Sequence, residues 1–345
     1  MTQMWIEILQ QPEALKNCIN TNKEKIKTLV EFLKNKDIRH IIISGRGTSW
    51  HSGIYFKYLM EVKAGIPVSF AAPSVATLYN GKVNMEGALV IGISQSGRAA
   101  DVLEVLKSAK AQGVPTIAIT NYEDSPMATE ADHHLFCAAG EEKSVAATKT
   151  FTSTLYLLAN LAAEWTGDED FKKELAAVPE LVQKVIDNNE QIKNTVLRYR
   201  FMSECYVLGR GMNYSITLET ALKLMETTYV RARGFAISDF YHGPFAVVDK
   251  HLPVFVFAPE GESKKDAVEM INKLKDAGAD VLAVTNSSEI KALADSSIDI
   301  PEGVSDFISP FVNAVTGQMF ACNLSVLRGL NPDNPRGLKK VTVTR

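Results

Sequence analysis

The hydrophobic pattern of the chain changes period several times. Over residues 1 to 38 the apolar positions, WIEIL and TLVEFL among them, recur at helical spacing, and Pro12 sits early, where a first helical turn tolerates it. Short β-forming runs then alternate with amphipathic stretches. The first block, RHIIISGRGTSWHSGIYFKYLMEV, reads as a strand, a Gly-Arg-Gly turn and a helix. Much later ECYVLGRGMNYSITLETALKLMET repeats that order, with Gly45 matched by Gly209 at an offset of 164. The repeat continues: GALVIGISQSGRAADVLEVLKSAKAQGVPTIAITN aligns with LPVFVFAPEGESKKDAVEMINKLKDAGADVLAVTN, placing Gly113 with Gly278 and Asn121 with Asn286 at an offset of 165. Each half therefore predicts β-α-β-α-β, a parallel sheet with helices on both faces.

The predicted organisation is a helical segment 1–38, an α/β unit 39–165, a polar helical connection 166–199, a second α/β unit 200–330 and a tail 331–345 that ends in a short alternating stretch. The fold class is α/β, with two duplicated, doubly wound, flavodoxin-like units of three layers (α/β/α).

Composition excludes several functions. The 345 residues, 46% of them hydrophobic, supply cores for two domains. A net charge of -3 argues against a nucleic-acid surface or a polybasic membrane patch, so a bound anion must be held by local geometry. Cys18, Cys137, Cys205 and Cys322 are scattered and form no C-x-x-C pair, so neither zinc nor a redox dithiol is expected, and no cofactor or metal is called for. His133 and His134 have no third ligand nearby and are expected as solvent-facing residues at a strand end. MTQMWIEILQQPEAL lacks the basic region and apolar core of a signal peptide, and no apolar run is long enough for a bilayer, so a cytoplasmic protein is expected.

The candidate chemistry lies where strands hand over to helices. In open parallel sheets ligands sit beyond the carboxyl ends of the strands. Two loops leave strands there in the first half, GRGTSWHSG and SQSGRAAD. A helix N-terminus offers free N–H groups and partial positive charge, which suits a phosphate, and Ser49, Ser94, Ser96 and Gln95 add side-chain donors. The alternative is that these serines merely cap their helices. Two loops converging on one sheet edge favour the anion site. The loops lack a dinucleotide fingerprint and a Walker lysine, which points to a small phosphorylated molecule rather than a nucleotide. In the second half, Pro259-Glu260-Gly261-Glu262 replaces SQSG, so the phosphate is expected in the first half only.

The second half carries LETALKLMETTYV, with Glu219, Lys223 and Glu226 on one helix face. A solvated i,i+4 ion pair would explain them. However, Leu218, Ala221, Leu222 and Met225 make the neighbouring face apolar, so a mostly buried helix is expected, and buried charges invite a functional role. His242 lies in a Tyr-His-Gly-Pro turn, where a structural and a catalytic role are both open.

The motifs GTSWHSG, SQSG, SVAATKTFT, LGRG, LETALKLMET, YHGP and NPRGLKKVTV, in this order and over nearly the whole chain, resemble sugar isomerase (SIS) domains. The likeness is nearest to the isomerase half of the glucosamine-6-phosphate synthases. The resemblance implies that Thr48, Ser49, Ser94, Gln95 and Ser96 bind a sugar phosphate and that Val145 gives a backbone contact to the sugar. It implies Glu226 as the base moving a proton between C1 and C2, with Lys223 as its helper. It implies His242 as the ring-opening residue, reaching in from a neighbouring subunit of a homodimer or larger homo-oligomer, and Lys340 as the amine that forms a Schiff base with the ketose. Lys339 beside it could help depress its pKa.

The pattern departs from the family at Ala99, where a hydroxyl is lost, and at Arg98, Ala147 and the DFYHGP turn. Residue 2 is Thr and the α/β units begin near residue 39, leaving no room for a glutaminase domain. An isomerising deaminase that converts glucosamine 6-phosphate to fructose 6-phosphate and ammonia is therefore expected. A fructosamine-6-phosphate deglycase is the alternative, if the surroundings of Tyr241 and Arg98 admit a bulky amine. A catalytically silent sugar-phosphate sensor is a third, but the first 38 residues are too short and too weakly basic for the DNA-binding segment such a sensor brings.

Overall fold

The computed structural model describes residues 1–340; the alternating stretch expected at the end of the tail lies outside the described residues. Two five-stranded, wholly parallel sheets are present. The first has β1 (His40–Ser44), β2 (Val68–Phe70), β3 (Ala88–Ile93), β4 (Thr116–Thr120) and β5 (His133–Phe136) in the order 2-1-3-4-5. The second has β6 (Glu204–Gly209), β7 (Arg231–Ala236), β8 (Pro253–Phe257), β9 (Asp280–Thr285) and β10 (Ser296–Asp299) in the order 7-6-8-9-10, the same topology displaced by one repeat. The offsets near 165 thus mark a true structural duplication of α/β units.

Burial explains the sequence of the central strands. All six residues of β3, ALVIGI, are buried because helices cover both faces, so no polar alternation survives. On one face of the first sheet Val90 packs with Val102, Val105 and Leu106 of the helix Ala100–Ala111. The second sheet matches it with Val254 and Val256 against Met270, Ile271 and Leu274 of the helix Lys264–Asp276.

The chain divides into two compact units that each draw on separated stretches. Among the described residues, one comprises 13–142, 149–176 and 339–340; the other comprises 1–12, 143–148 and 177–338. No helix of the described residues is long and apolar enough to cross a membrane.

In both sheets the strand order reverses next to the first strand of the repeat, between β1 and β3 and between β6 and β8. Loops leaving those strands flank the crevice where ligands bind in such folds. The same ion pair braces the crevice in each unit. Arg46 Nε lies 2.8 Å from Asp101 Oδ2, and Arg210 Nε lies 2.6 Å from Asp266 Oδ2. Each arginine is the middle residue of Gly-Arg-Gly, and each aspartate sits in the first turn of the crossover helix after the third strand.

Candidate phosphate cradle and acid/base cluster

The loop after β1 and the loop after β3 are built for close approach. A Cβ on Gly45 would meet Ser49 C at 3.2 Å and Ile93 O at 3.3 Å. Gly97 has φ +63°, and a Cβ there would lie 2.1 Å from Ser125 Oγ, so both conformation and space demand glycine. The backbone of SQSG is pinned by its carbonyls: Asn121 N–H donates to Gln95 O at 2.9 Å and Met127 N–H to Gly97 O at 3.1 Å. Ser94 is buried, while Gln95, Ser96, Thr48 and Ser49 are half-buried.

The serines do not cap the helices. The residues at the capping positions are Gly47, before the helix Thr48–Lys63, and Ala99, before the helix Ala100–Ala111, and neither carries a capping side chain. The hydroxyls therefore line an uncapped helix start, the arrangement that favours an anion. Arg98 is exposed, and its guanidinium makes no hydrogen bond or ion pair among the described residues.

The corresponding loop of the second unit is filled from within. Ser263 donates its N–H to Asp306 Oδ2 at 2.9 Å and its hydroxyl to Asp306 Oδ1 at 2.8 Å, at the start of the helix Lys264–Asp276. A Cβ on Gly261 would lie 2.8 Å from that carboxylate's carbon. A carboxylate of the chain thus takes the place that the first unit leaves to hydroxyls. Replacing Asp306 with Ala should leave two Ser263 donors without an acceptor and cost about 1–3 kcal/mol, read as a lower urea midpoint; an unchanged midpoint would deny Asp306 that capping role.

The helix Tyr214–Thr228 carries the acid/base candidates. Lys223 Nζ lies 3.3 Å from Glu219 Oε1 and 2.6 Å from Glu226 Oε2. The side chains of Glu219 and Lys223 are 2% and 1% exposed, that of Glu226 18%, so only the last can meet a ligand. Burial pulls the Lys223 pKa down, but the charges of Glu219 and Glu226 override it and hold the ammonium above its ordinary range. Glu226 Oε2 is the buried oxygen, held against the ammonium, so the exposed part of the side chain lies elsewhere on it.

The helix is mostly buried, as expected, and Ala221 is in its interior, but the other apolar residues named for it are less so: Met225 is 43% exposed, and Leu218 and Leu222 are only half-buried. The charged stripe is the buried one, because Lys223 compensates both carboxylates and lets them enter the interior together. One correction concerns His133 and His134. Both are half-buried on edge strand β5, and His134 Nε2 lies 2.9 Å from Thr120 Oγ1; burial, the largest influence, lowers both pKa values.

His242 follows the helix Ile237–Phe240 in a turn closed by its own N–H to Asp239 O at 3.0 Å. Its ring is exposed and makes no hydrogen bond or ion pair among the described residues. Val145 sits on a loop held by its neighbours: its N–H donates to Asp333 O at 3.3 Å, and the buried Glu7 carboxylate takes the N–H groups of Lys143 and Ser144. Lys340 Nζ donates to Glu142 Oε2 at 2.9 Å.

Glu7, Glu142 and Asp333 were not legible as site residues. Glu7 shares the buried face of its helix with Met4 and Ile8, a charge inside an apolar stripe, which is the signal that could have found it. All four cysteines are buried with thiol pKa values pushed up by burial, to about 12 for Cys137 and about 11 for Cys322, so none is a reactive thiolate.

The SIS domain model matches residues 33–163 and 203–328, one copy over each sheet. The chain belongs to the SIS family. It is 35% identical over 98% of its length to a glutamine–fructose-6-phosphate aminotransferase (isomerizing) of Thermococcus kodakarensis, of which the match covers 57%. The chain thus spans little more than half of that relative and is homologous to its isomerase half. Among solved structures, the C-terminal domain of glucosamine-fructose-6-phosphate aminotransferase from Francisella tularensis superposes with a TM-score of 0.88 at 29% identity, covering 97% of this chain and 98% of that one. A glucosamine-6-phosphate deaminase from Thermotoga maritima shares the SIS fold, with a TM-score of 0.78 at 24% identity over 99% of this chain and all of that one.

Proposed function

We propose that this SIS protein is a phosphosugar isomerase that converts glucosamine 6-phosphate and water to fructose 6-phosphate and ammonia. The observation that carries the proposal is Glu226: a partly exposed carboxylate whose buried oxygen is fixed by a buried lysine. Aldose–ketose interconversion needs one base that serves two adjacent carbons, and this geometry supplies it.

Thr48, Ser49, Ser94, Gln95 and Ser96 hold the 6-phosphate at the uncapped helix starts, and Val145 offers its backbone to the sugar. His242 opens the ring. Glu226 removes the C2 proton and returns it to C1, leaving an iminium at C2. Lys340 adds to C2, ammonia departs, and water hydrolyses the resulting lysine imine to the ketose. The exposure of His242 supports a homodimer in which each subunit lends this ring to its neighbour.

The test is a panel of phosphorylated amino sugars and fructosamines offered to the purified protein and read for ammonia and hexose phosphate. The proposal expects equal amounts of ammonia and fructose 6-phosphate from glucosamine 6-phosphate. Cleavage of a fructosamine 6-phosphate with no release from glucosamine 6-phosphate would overturn it.

A further inference from the structure

Glu142 is a carboxylate with a fully buried side chain. Thr150, in the first turn of the helix Lys149–Thr166, donates its N–H to Oε1 at 3.2 Å and its hydroxyl to Oε2 at 2.7 Å. Lys340 also donates: its ammonium reaches Oε2 at 2.9 Å and its side chain is 25% exposed. The carboxylate is thus anchored by backbone and hydroxyl while it holds a lysine that can meet a ligand. An ammonium ion has no lone pair, so Lys340 must lose a proton before it can attack carbon.

We propose that Glu142 is the positioning residue of Lys340 and the acceptor of its proton during imine formation, an inference that rests on the lysine-imine step proposed above. As the C2 carbonyl or iminium arrives, a proton passes from Nζ to Oε2 along the existing hydrogen bond. The freed electron pair forms the N–C2 bond, and water or ammonia leaves with the proton it needs. When water later hydrolyses the imine, the amine regains its proton from Glu142. No other acid or oxidant enters the cycle. Thr150 keeps the carboxylate aimed while its charge changes.

The proposal makes a specific kinetic demand. Proton transfer inside an ion pair leaves the overall charge unchanged, so the rate of imine formation does not depend on pH while the pair is intact. Transfer to solvent base instead gives a rate that rises tenfold per pH unit. The experiment mixes the intact protein with fructose 6-phosphate, quenches aliquots with sodium borohydride at successive times, and counts the reduced adduct on Lys340 by peptide mass spectrometry. In the unmodified protein the trapping rate should be the same at pH 7 and pH 8. In Glu142→Gln it should fall at least tenfold at pH 7 and recover as the pH rises.

A unit slope in the unmodified protein would overturn the proposal without recourse to a variant that might fold poorly. Trapping by Glu142→Gln as fast as, or faster than, the unmodified protein at pH 7 would overturn it too, and would make Glu142 a latch that holds the lysine inert. If the unmodified protein traps no sugar on Lys340 while still isomerising, the lysine-imine step itself fails. That result is distinct from the failure of Glu142 alone.

Discussion

Glu226→Gln should lower turnover of glucosamine 6-phosphate by about 10²- to 10⁴-fold, the range a positioned general base contributes. Binding of the sugar phosphate should persist, because the cradle of Ser94, Gln95 and Ser96 belongs to the other compact unit. Glutamine keeps the size of the side chain but cannot take a proton at C2, and Lys223 retains Glu219 as its partner. Calorimetric titration with the sugar phosphate beside a turnover assay separates the two effects. Unchanged turnover would remove Glu226 from the reaction. The same variant tests the sharing of His242: mixed with His242→Ala subunits under conditions of subunit exchange, it should regain activity at sites that receive both intact residues. No recovery despite exchange would place both residues in one chain's contribution.

Lys223→Met should be the most damaging substitution for stability. It removes the ammonium that Glu219 and Glu226 share in the interior, and breaking a buried pair from one side costs about 3–5 kcal/mol. Urea unfolding measures this directly, and a loss well under 1 kcal/mol would mean that the carboxylates find other partners. The pH dependence has a definite sign. The folded-state pKa of Lys223 is raised above its ordinary value by its two carboxylates. Its contribution is therefore complete below the unfolded lysine pKa of about 10.4 and is lost only as the pH climbs through the higher folded value. The difference between Lys223→Met and the unmodified protein should be the same at pH 7 and pH 9.

Much of the fold was legible because duplication repeats its own evidence. One Gly-Arg-Gly after a β-run is weak, but two at an offset of 164, followed by aligned strands and helices, leave little besides a pair of parallel α/β units. The paired Arg46–Asp101 and Arg210–Asp266 bridges follow the same alignment. The cradle was legible in part: its serines could be named, but whether they cap helices depends on which residue occupies the capping position, and only coordinates show Gly47 and Ala99 there.

The buried charges of the Tyr214–Thr228 helix were legible, but not that they lie deeper than Met225, Leu218 and Leu222: hydrophobic periodicity assumes that charge faces water, and a self-compensating Glu-Lys-Glu triplet breaks that assumption. Glu142 and Asp306 stayed hidden because each acts through partners distant in sequence, Lys340 by 198 positions and Ser263 by 43.

The most direct test is to run glucosamine 6-phosphate through the protein in deuterium oxide and locate the label in the product by mass spectrometry and NMR. Proton transfer by Glu226 between C2 and C1 predicts ammonia together with fructose 6-phosphate that carries deuterium at C1, to the extent that the carboxyl proton exchanges with solvent. Both should be lost in Glu226→Gln. Recovery of unchanged, unlabelled glucosamine 6-phosphate from a folded protein that binds it would contradict the proposed isomerisation.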